Sequence, residues 1–157
     1  MAQVLDCHSK AKDERGRKLS NFYPWSFVLD GVRCGSIEGF LQSLKFEDEE
    51  TQHDVAQLHG YRAFKIGQEG NSWKERQVLY WLGREYNRDS PAYQALLTSA
   101  YDALLDQNAE VRDILRSTAG LVLDHTMGKN DSHDTVLTRA EYVRQLDRLR
   151  WRALGDD

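Results

Sequence analysis

The chain has 157 residues, of which 40% are hydrophobic and 29% are charged, and its formal net charge is -4. This length suits one domain, and the composition excludes a disordered chain or a protein that binds nucleic acid through a broad basic surface. No apolar run approaches the ~20 residues of a transmembrane helix, and the charged N-terminus lacks the apolar stretch of a secretion signal. We therefore expect one cytoplasmic domain over residues 1–157 with no membrane partner.

The cysteines and histidines do not follow a metal-binding pattern. Cys7 and Cys34 form no CxxC motif, and in a reducing compartment two such residues are expected to be free thiols. His53 and His59 are six residues apart and so lie on different faces of a helix. No HExxH, GxSxG, GxGxxG or GxxxxGK[ST] motif is present. We predict no metal and no other cofactor, while a nucleophile whose partners meet only in space stays open.

The first forty residues contain the β signals. "SFVLDGVRC" places two short runs of β-branched and aromatic residues on either side of Asp30-Gly31, a pair that suits the tight turn of a β-hairpin. "QVL" near the N-terminus is a candidate third strand. Gly35-Ser36 then ends the hairpin and offers Ser36 as the N-cap of a helix.

The remainder of the chain is predicted to be helical. Apolar residues recur at helical spacing within 48–66, within "SWKERQVLYWL" and after Pro91, with a break near Gln107-Asn108. "TRAE" at 138–141 reads as a capping box with Thr138 as N-cap and Glu141 three residues on. The expected fold is α+β and mainly α, with a small N-terminal β-hairpin or sheet packed on about five or six helices.

The helix "SIEGFLQSLKF" carries two stripes. Ile37, Leu41 and Leu44 have the i, i+4, i+7 spacing of a buried face. Glu38, Gln42 and Lys45 repeat that spacing one residue later, so these three polar side chains project along one flank, and the helical rise separates Glu38 from Lys45 by about 10 Å. By periodicity alone this flank is a solvated edge or the wall of a binding site.

The segment before the hairpin is dense in aromatic residues. "LSNFYPWSF" holds four aromatic side chains within six residues, with Asn21 supplying an amide at its start. Such a group is either part of the core or a platform on which a planar base stacks.

Together, these segments resemble the N-terminal signature of the NADAR family (YbiA-like). That signature has an L-S-N-F segment with aromatics, a hairpin with a D-G turn, and then S-x-E-x-x-x-Q-x-x-K-F. The matching positions are Leu19, Ser20, Asn21, Phe22, Asp30, Gly31, Ser36, Glu38, Gln42, Lys45 and Phe46. The resemblance covers about residues 19–150 as a single NADAR-like domain, and its second half resembles a variant branch.

The resemblance implies cleavage of N-glycosidic bonds in ribosyl compounds. Glu38 would stabilise positive charge on the sugar or activate water, and Lys45 would attack as an amine. Asn21 and Gln42 would hold ribose hydroxyls or base edges, and Ser36 is a fixed position of the same signature. Trp81 or Phe22 would stack on the base, with Trp81 preferred to Trp73 as the family's central tryptophan.

The second half of the chain supplies further candidates through the same resemblance. "LRSTAGLVLDHTMGKND" resembles a strand-like segment that borders the site, from which Asp124 is expected as a second catalytic carboxylate. His125 and Gly128 would line the site, and Lys129 would contact a phosphate. Arg88 in "NRDSPAY" resembles the variant branch and is expected to bind substrate.

The substrate expected from these residues is a ribosyl or ADP-ribosyl compound, foremost ADP-ribose on guanine in a nucleoside or in nucleic acid. Three alternatives stay open. The protein hydrolyses phosphoribosyl-aminopyrimidine intermediates of riboflavin synthesis, holds NAD or ADP-ribose without cleaving it, or is a helical interaction protein with no small-molecule site. An intact Glu38 and Lys45 favour an enzyme, since a pure binding module needs neither group.

Overall fold

The computed structural model describes residues 2–155. Helices predominate, and the strands are short, as the sequence predicted for an α+β fold. In chain order the elements are β1 (Val4–Asp6), α1 (Glu14–Lys18), β2 (Phe27–Leu29), β3 (Val32–Cys34), α2 (Ile37–Ser43), α3 (Glu49–Ala56), α4 (Gly60–Gly67), a 3-10 turn (Gln68–Gly70), α5 (Trp73–Arg76), β4 (Val78–Trp81), β5 (Arg84–Asn87), α6 (Pro91–Gln107), α7 (Ala109–Ser117), β6 (Val122–Asp124) and α8 (Arg139–Gly155).

The predicted N-terminal hairpin is confirmed. Strands β2 and β3 pair antiparallel, and both turn residues have positive φ, 50° at Asp30 and 79° at Gly31, as a type I′ turn requires. The predicted strand at "QVL" also exists as β1, but it pairs in parallel with β6 rather than with the hairpin. Its partner lies more than a hundred residues away, beyond the reach of a local pattern.

The prediction of a helix through "SWKERQVLYWL" is wrong. Helix α5 ends at Gln77, whose φ of 55° is left-handed, and the chain then forms the antiparallel hairpin β4–β5. Leu82 and Gly83 make its turn, with φ of 51° and 83°. The residues Val78–Trp81 are branched or aromatic and favour a strand, which outweighs a helical stripe this short.

The helices are more numerous than predicted. Eight α-helices lie within residues 2–155, instead of five or six. One reason is that the 48–66 segment is divided into α3 and α4, where Gly60 takes a left-handed φ of 61°. The predicted break at Gln107-Asn108 is confirmed between α6 and α7. The capping box of α8 is also confirmed, because Thr138 and Glu141 each accept a hydrogen bond from the other's backbone N–H.

Helices α2 and α6 supply much of the hydrophobic core. Phe40 of α2, Leu44 just after α2 and Leu97 of α6 are fully buried, and residues from β2, α7 and α8 belong to the same core cluster. Cys7 and Cys34 are free and buried, and burial raises the pKa of each thiol to about 12. No helix in the described part of the chain is long and apolar enough to cross a membrane.

Candidate active site

Helix α2 carries its polar flank into the interior. Its N-cap is Ser36, whose hydroxyl accepts a hydrogen bond from the N–H of Gly39, as predicted. The core stripe of α2 is buried, but Glu38 and Gln42 are buried as well, with only 8% and 5% of their surfaces exposed. They are buried because α4 packs beside α2. The flank is therefore not a solvated edge.

The close approach of α4 depends on a glycine. A Cβ atom at Gly67 would lie 1.8 Å from Oε1 of Gln42 and 2.8 Å from its Cγ. The buried Gln42 side chain thus occupies the space that any larger residue at position 67 would need. Gly67 fixes how tightly α4 covers the polar flank.

Glu38 is buried with a single side-chain hydrogen bond. The amide Nε2 of Gln42 donates to its Oε1 at 2.7 Å, and among the described residues no cation lies within 4.0 Å of the carboxylate. Burial raises the pKa of Glu38, and the hydrogen bond from Gln42 and the charge of Lys45 only partly oppose this. Glu38 therefore takes up a proton more readily than an exposed carboxylate and is suited to proton transfer.

Lys45 is held by neutral acceptors. Its Nζ donates to the carbonyl oxygen of Gly67 and to Oδ1 of Asn71, each at 3.2 Å. Burial lowers the pKa of Lys45 to about 8; the charge of Glu38 opposes this shift, and those of Lys74 and Lys129 add to it. A substantial fraction of Lys45 is consequently a neutral amine near pH 8, which is the nucleophilic form.

Asn21 ties the aromatic segment to α2. Its carbonyl oxygen accepts a hydrogen bond from the N–H of Glu38 at 3.0 Å, and its Oδ1 accepts one from the hydroxyl of Tyr101 at 2.8 Å. Tyr101 is buried in α6. Neither Tyr101 nor Asn71 was predicted, because each lies far along the chain from the residue it holds and neither belongs to a spacing pattern.

Two aromatic candidates have different surroundings. Phe22 is half-buried, and its ring lies 6.2 Å from that of Phe64 on α4, the helix that covers the flank. The prediction that Trp81 stacks on a base is wrong. Trp81 is 3% exposed, its indole N–H donates to Asp30 at 2.9 Å, and its ring packs against Phe40 in the core. Trp73, the alternative, is equally buried.

Two further candidates have structural roles instead of binding roles. The hydroxyl of Ser36 is fully used, since it caps α2 and donates to the carbonyl oxygen of Leu58. Arg88 is 1% exposed and pairs with both carboxylate oxygens of Glu141, while its Nε donates to Thr135. Neither side chain can reach a ligand, so both predictions are corrected.

The candidates from 124 to 129 form a second group where β1 and β6 end. Both oxygens of Asp124 accept hydrogen bonds from Arg139, which lowers the pKa of Asp124 and leaves it paired, so we withdraw it as a second catalytic carboxylate. His125 Nδ1 donates to the carbonyl oxygen of Cys7. Lys129 is exposed, and its charge acts on Lys45.

Gly128 lies beside His125 in this second group. A Cβ atom at Gly128 would approach Cδ2 of His125 to 2.7 Å, so the glycine allows the imidazole to pack there. Within residues 2–155, no group of three or more His, Cys, Asp or Glu side chains is arranged to hold a metal ion. The residues that the structure brings together at α2 are therefore Asn21, Phe22, Glu38, Gln42, Lys45 and Asn71.

A solved structure is similar to this one over its whole length. The NMR structure of the E. coli protein YbiA matches with a TM-score of 0.65 and 18% sequence identity, covering 99% of this chain and 88% of that one. This similarity shows a YbiA-like fold, as the resemblance of the N-terminal motifs implied.

Sequence comparisons lead to a phage family. A protein of Enterobacteria phage T4, described as an uncharacterized 17.1 kDa protein in the Gp30-rIII intergenic region, is 40% identical over 133 residues, which are 84% of this chain and 88% of the relative. The family model for bacteriophage protein GP30.3 matches residues 15–151. The chain therefore belongs to the bacteriophage protein GP30.3 family.

Proposed function

We propose that this protein is a metal-independent hydrolase of N-glycosidic bonds that removes ribosyl groups, foremost ADP-ribose from guanine. One observation carries the proposal: Glu38 is buried on α2, Lys45 is partly buried just after the end of that helix, and burial raises the pKa of the acid and lowers that of the amine. Opposite shifts of this kind prepare a proton donor and a nucleophile for work near neutral pH. The resemblance to the NADAR family and the YbiA-like fold agree with this chemistry.

The chemistry uses the neutral amine of Lys45. Its nitrogen forms a bond to C1 of the ribose while the bond from C1 to the base breaks and the sugar ring opens. The two amine protons end on the departing base and on the ring oxygen, with Glu38 as the carrier. Water then hydrolyses the resulting imine, which releases the sugar as an aldehyde and restores the amine. In a second route, the carboxylate of Glu38 activates water for direct attack.

The test is release of guanosine and free ADP-ribose. Purified protein is incubated with ADP-ribosylated guanosine, and guanine-containing product is followed by chromatography. Glu38→Gln and Lys45→Met are each expected to lower kcat by about a thousandfold or more, because each removes a group that acts on the reacting atoms. Glu47→Gln and Lys12→Met, at positions outside the flank, serve as matched controls and are expected to retain turnover.

Trapping separates the two routes. Borohydride reduces an imine to a stable amine, so a protein–sugar adduct found by mass spectrometry at Lys45 supports the amine route. Turnover in wild-type protein with no adduct supports direct attack by water. Turnover that survives both substitutions at Glu38 and Lys45 contradicts the proposed site.

The same assay addresses the other functions. A phosphoribosyl-aminopyrimidine offered in parallel distinguishes a riboflavin-type substrate from an ADP-ribosyl one. Tight binding of ADP-ribose without turnover would select a binding module. One point favours an enzyme. Burying Glu38 with a single neutral hydrogen-bond donor lowers stability, and a protein that only binds its ligand does not need such a carboxylate.

A further inference from the structure

The exposed face of α4 carries large aromatic rings. Tyr61 is 69% exposed and Phe64 is 40% exposed. The Tyr61 ring lies 6.2 Å from that of Phe64, which lies 6.2 Å from that of Phe22. These three residues, called here the aromatic row, lead from the loop that holds Asn21 out to solvent. Exposed rings in contact with one another commonly mark a binding surface.

The two chain segments that carry the aromatic row contain basic residues and no acidic ones. The chain has 25 acidic residues, yet none falls within 15–29, which contains Phe22, or within 55–68, which contains Tyr61 and Phe64. Arg62 and Lys65 on α4 are exposed and form no ion pair within residues 2–155. A protein with a net charge of -4 thus presents a local surface suited to a polyanion.

We propose that the aromatic row binds a single-stranded polynucleotide, with bases stacked on Tyr61 and Phe64 and phosphates beside Arg62 and Lys65. Aromatic stacking combined with cations along a groove is how proteins hold single strands without reading their sequence. This inference rests on the proposed function in one respect: the strand would carry the ribosylated base to Glu38 and Lys45.

The position of α4 links the two surfaces. Its buried face places Gly67 against Gln42, and the carbonyl oxygen of Gly67 holds Lys45, while its exposed face carries the row. A base stacked on Phe64 therefore lies on the helix that forms the wall of the candidate active site.

A second exposed apolar group has a different character and serves as a reference. Val122, Trp151 and Leu154 surround a surface groove that also contains Asp147 and Arg150, and Trp151 is 79% exposed. The guanidinium of Arg150 lies 3.6 Å from the carboxylate of Asp147 and donates to backbone carbonyl oxygens, so it is not free to bind a phosphate. Trp151→Ala thus removes an exposed aromatic ring of similar size from a surface where no strand is expected.

The experiment measures binding of unmodified strands. Fluorescence anisotropy follows labelled single-stranded DNA of mixed sequence, and RNA of the same sequence, titrated with the full chain. Tyr61→Ala/Phe64→Ala is expected to weaken binding at least tenfold, and Trp151→Ala to leave it unchanged. Lys65→Ala should reduce the salt dependence of the binding constant by about one phosphate contact. Circular dichroism checks that each variant is folded.

The outcomes are separable. Absence of strand binding by wild-type protein, or equal losses for the double variant and Trp151→Ala, overturns the proposal. Self-association of wild-type protein that the double variant abolishes also overturns it, because the row would then be an interface between copies. Strand binding through the row without hydrolysis of ADP-ribosylated guanosine keeps this inference and rejects the proposed activity. A double variant that hydrolyses the free nucleoside at the wild-type rate confirms that Tyr61 and Phe64 serve the strand alone.

Discussion

Two carboxylates of this protein have opposite surroundings, the buried Glu38 and Glu141, whose side chain is 12% exposed. The carboxylate of Glu141 accepts hydrogen bonds from both terminal guanidinium nitrogens of Arg88, from the side-chain amide of Gln94 and from the backbone N–H of Thr138. The carboxylate of Glu38 accepts one hydrogen bond, from the neutral side-chain amide of Gln42. Although burial raises the pKa of Glu141, these hydrogen bonds lower it below its ordinary value, whereas burial raises the pKa of Glu38.

The two carboxylates differ in how well hydrogen bonds compensate their charge. A buried charge with all its hydrogen bonds made holds elements together, here the start of α8 and the residue that follows β5. A buried charge with little compensation gives up stability and exchanges its proton readily. The family resemblance placed Arg88 and Glu38 in the same site, but their surroundings differ: Arg88 is paired with Glu141, whereas Glu38 accepts one hydrogen bond from a neutral amide.

Removal of Arg88 tests whether the Glu141 carboxylate depends on its cation. Arg88→Met leaves the Glu141 carboxylate buried without its cation, which we expect to lower the free energy of unfolding by about 3–5 kcal/mol. Urea denaturation measures the loss. The double variant Arg88→Met/Glu141→Gln should lose less, because no unpaired charge remains. A single variant that keeps its stability but loses turnover would move Arg88 into the active site.

Removing Lys45 should stabilise the protein, whereas removing Arg88 should destabilise it. The pKa of Lys45 falls from 10.5 to about 8 on folding, so folding favours the neutral amine. A charged Lys45 therefore costs stability below pH 8, and this cost disappears above pH 10.5. Lys45→Met should raise the free energy of unfolding by about 2 kcal/mol near pH 6 and by almost nothing near pH 10.5.

Urea unfolding of wild-type and variant protein at both pH values measures this difference. Lys10→Met removes an exposed ammonium that does not act on Lys45 and is the control, with no gain expected. A loss of stability in Lys45→Met at both pH values would show that its contacts with Gly67 and Asn71 outweigh the cost of burying the charge.

Local patterns predicted the parts of the fold and site that depend on near neighbours. The Asp30-Gly31 turn, the Ser36 cap and the pair Glu38 and Gln42 each follow from spacing within one turn or helix. The predicted helix reached Lys45, but α2 ends at Ser43. The pairing of β1 with β6 and the hydrogen bond from Tyr101 to Asn21 do not follow from local spacing, because their partners are distant in sequence. Burial of Trp81 was missed for the same reason: its side chain points into the core from a strand that was predicted as a helix.

A methyl group at Gly67 tests how α4 covers the flank. Gly67→Ala places a Cβ atom against the buried Gln42 side chain, so we expect about 1–2 kcal/mol of destabilisation and a lower kcat/KM as Gln42 moves away from Glu38. Thermal unfolding measures the change in stability, and release of guanosine from ADP-ribosylated guanosine measures the change in kcat/KM. Gly155→Ala, with open space around the new atom, is the matched control and should change neither quantity. Unchanged stability in Gly67→Ala would mean that α4 is free to shift.

The smallest effect concerns the charges around Lys45. If the neutral amine attacks the sugar, kcat/KM should rise with pH and level off above about 8, the pKa of Lys45. Lys74 and Lys129 lower that pKa through like-charge repulsion, so Lys74→Ala or Lys129→Ala should move the midpoint upward by a few tenths of a unit. Lys10→Ala should leave it in place. A midpoint that stays fixed in both variants, while Lys45→Met abolishes turnover, would assign the titration to Glu38 and favour direct attack by water.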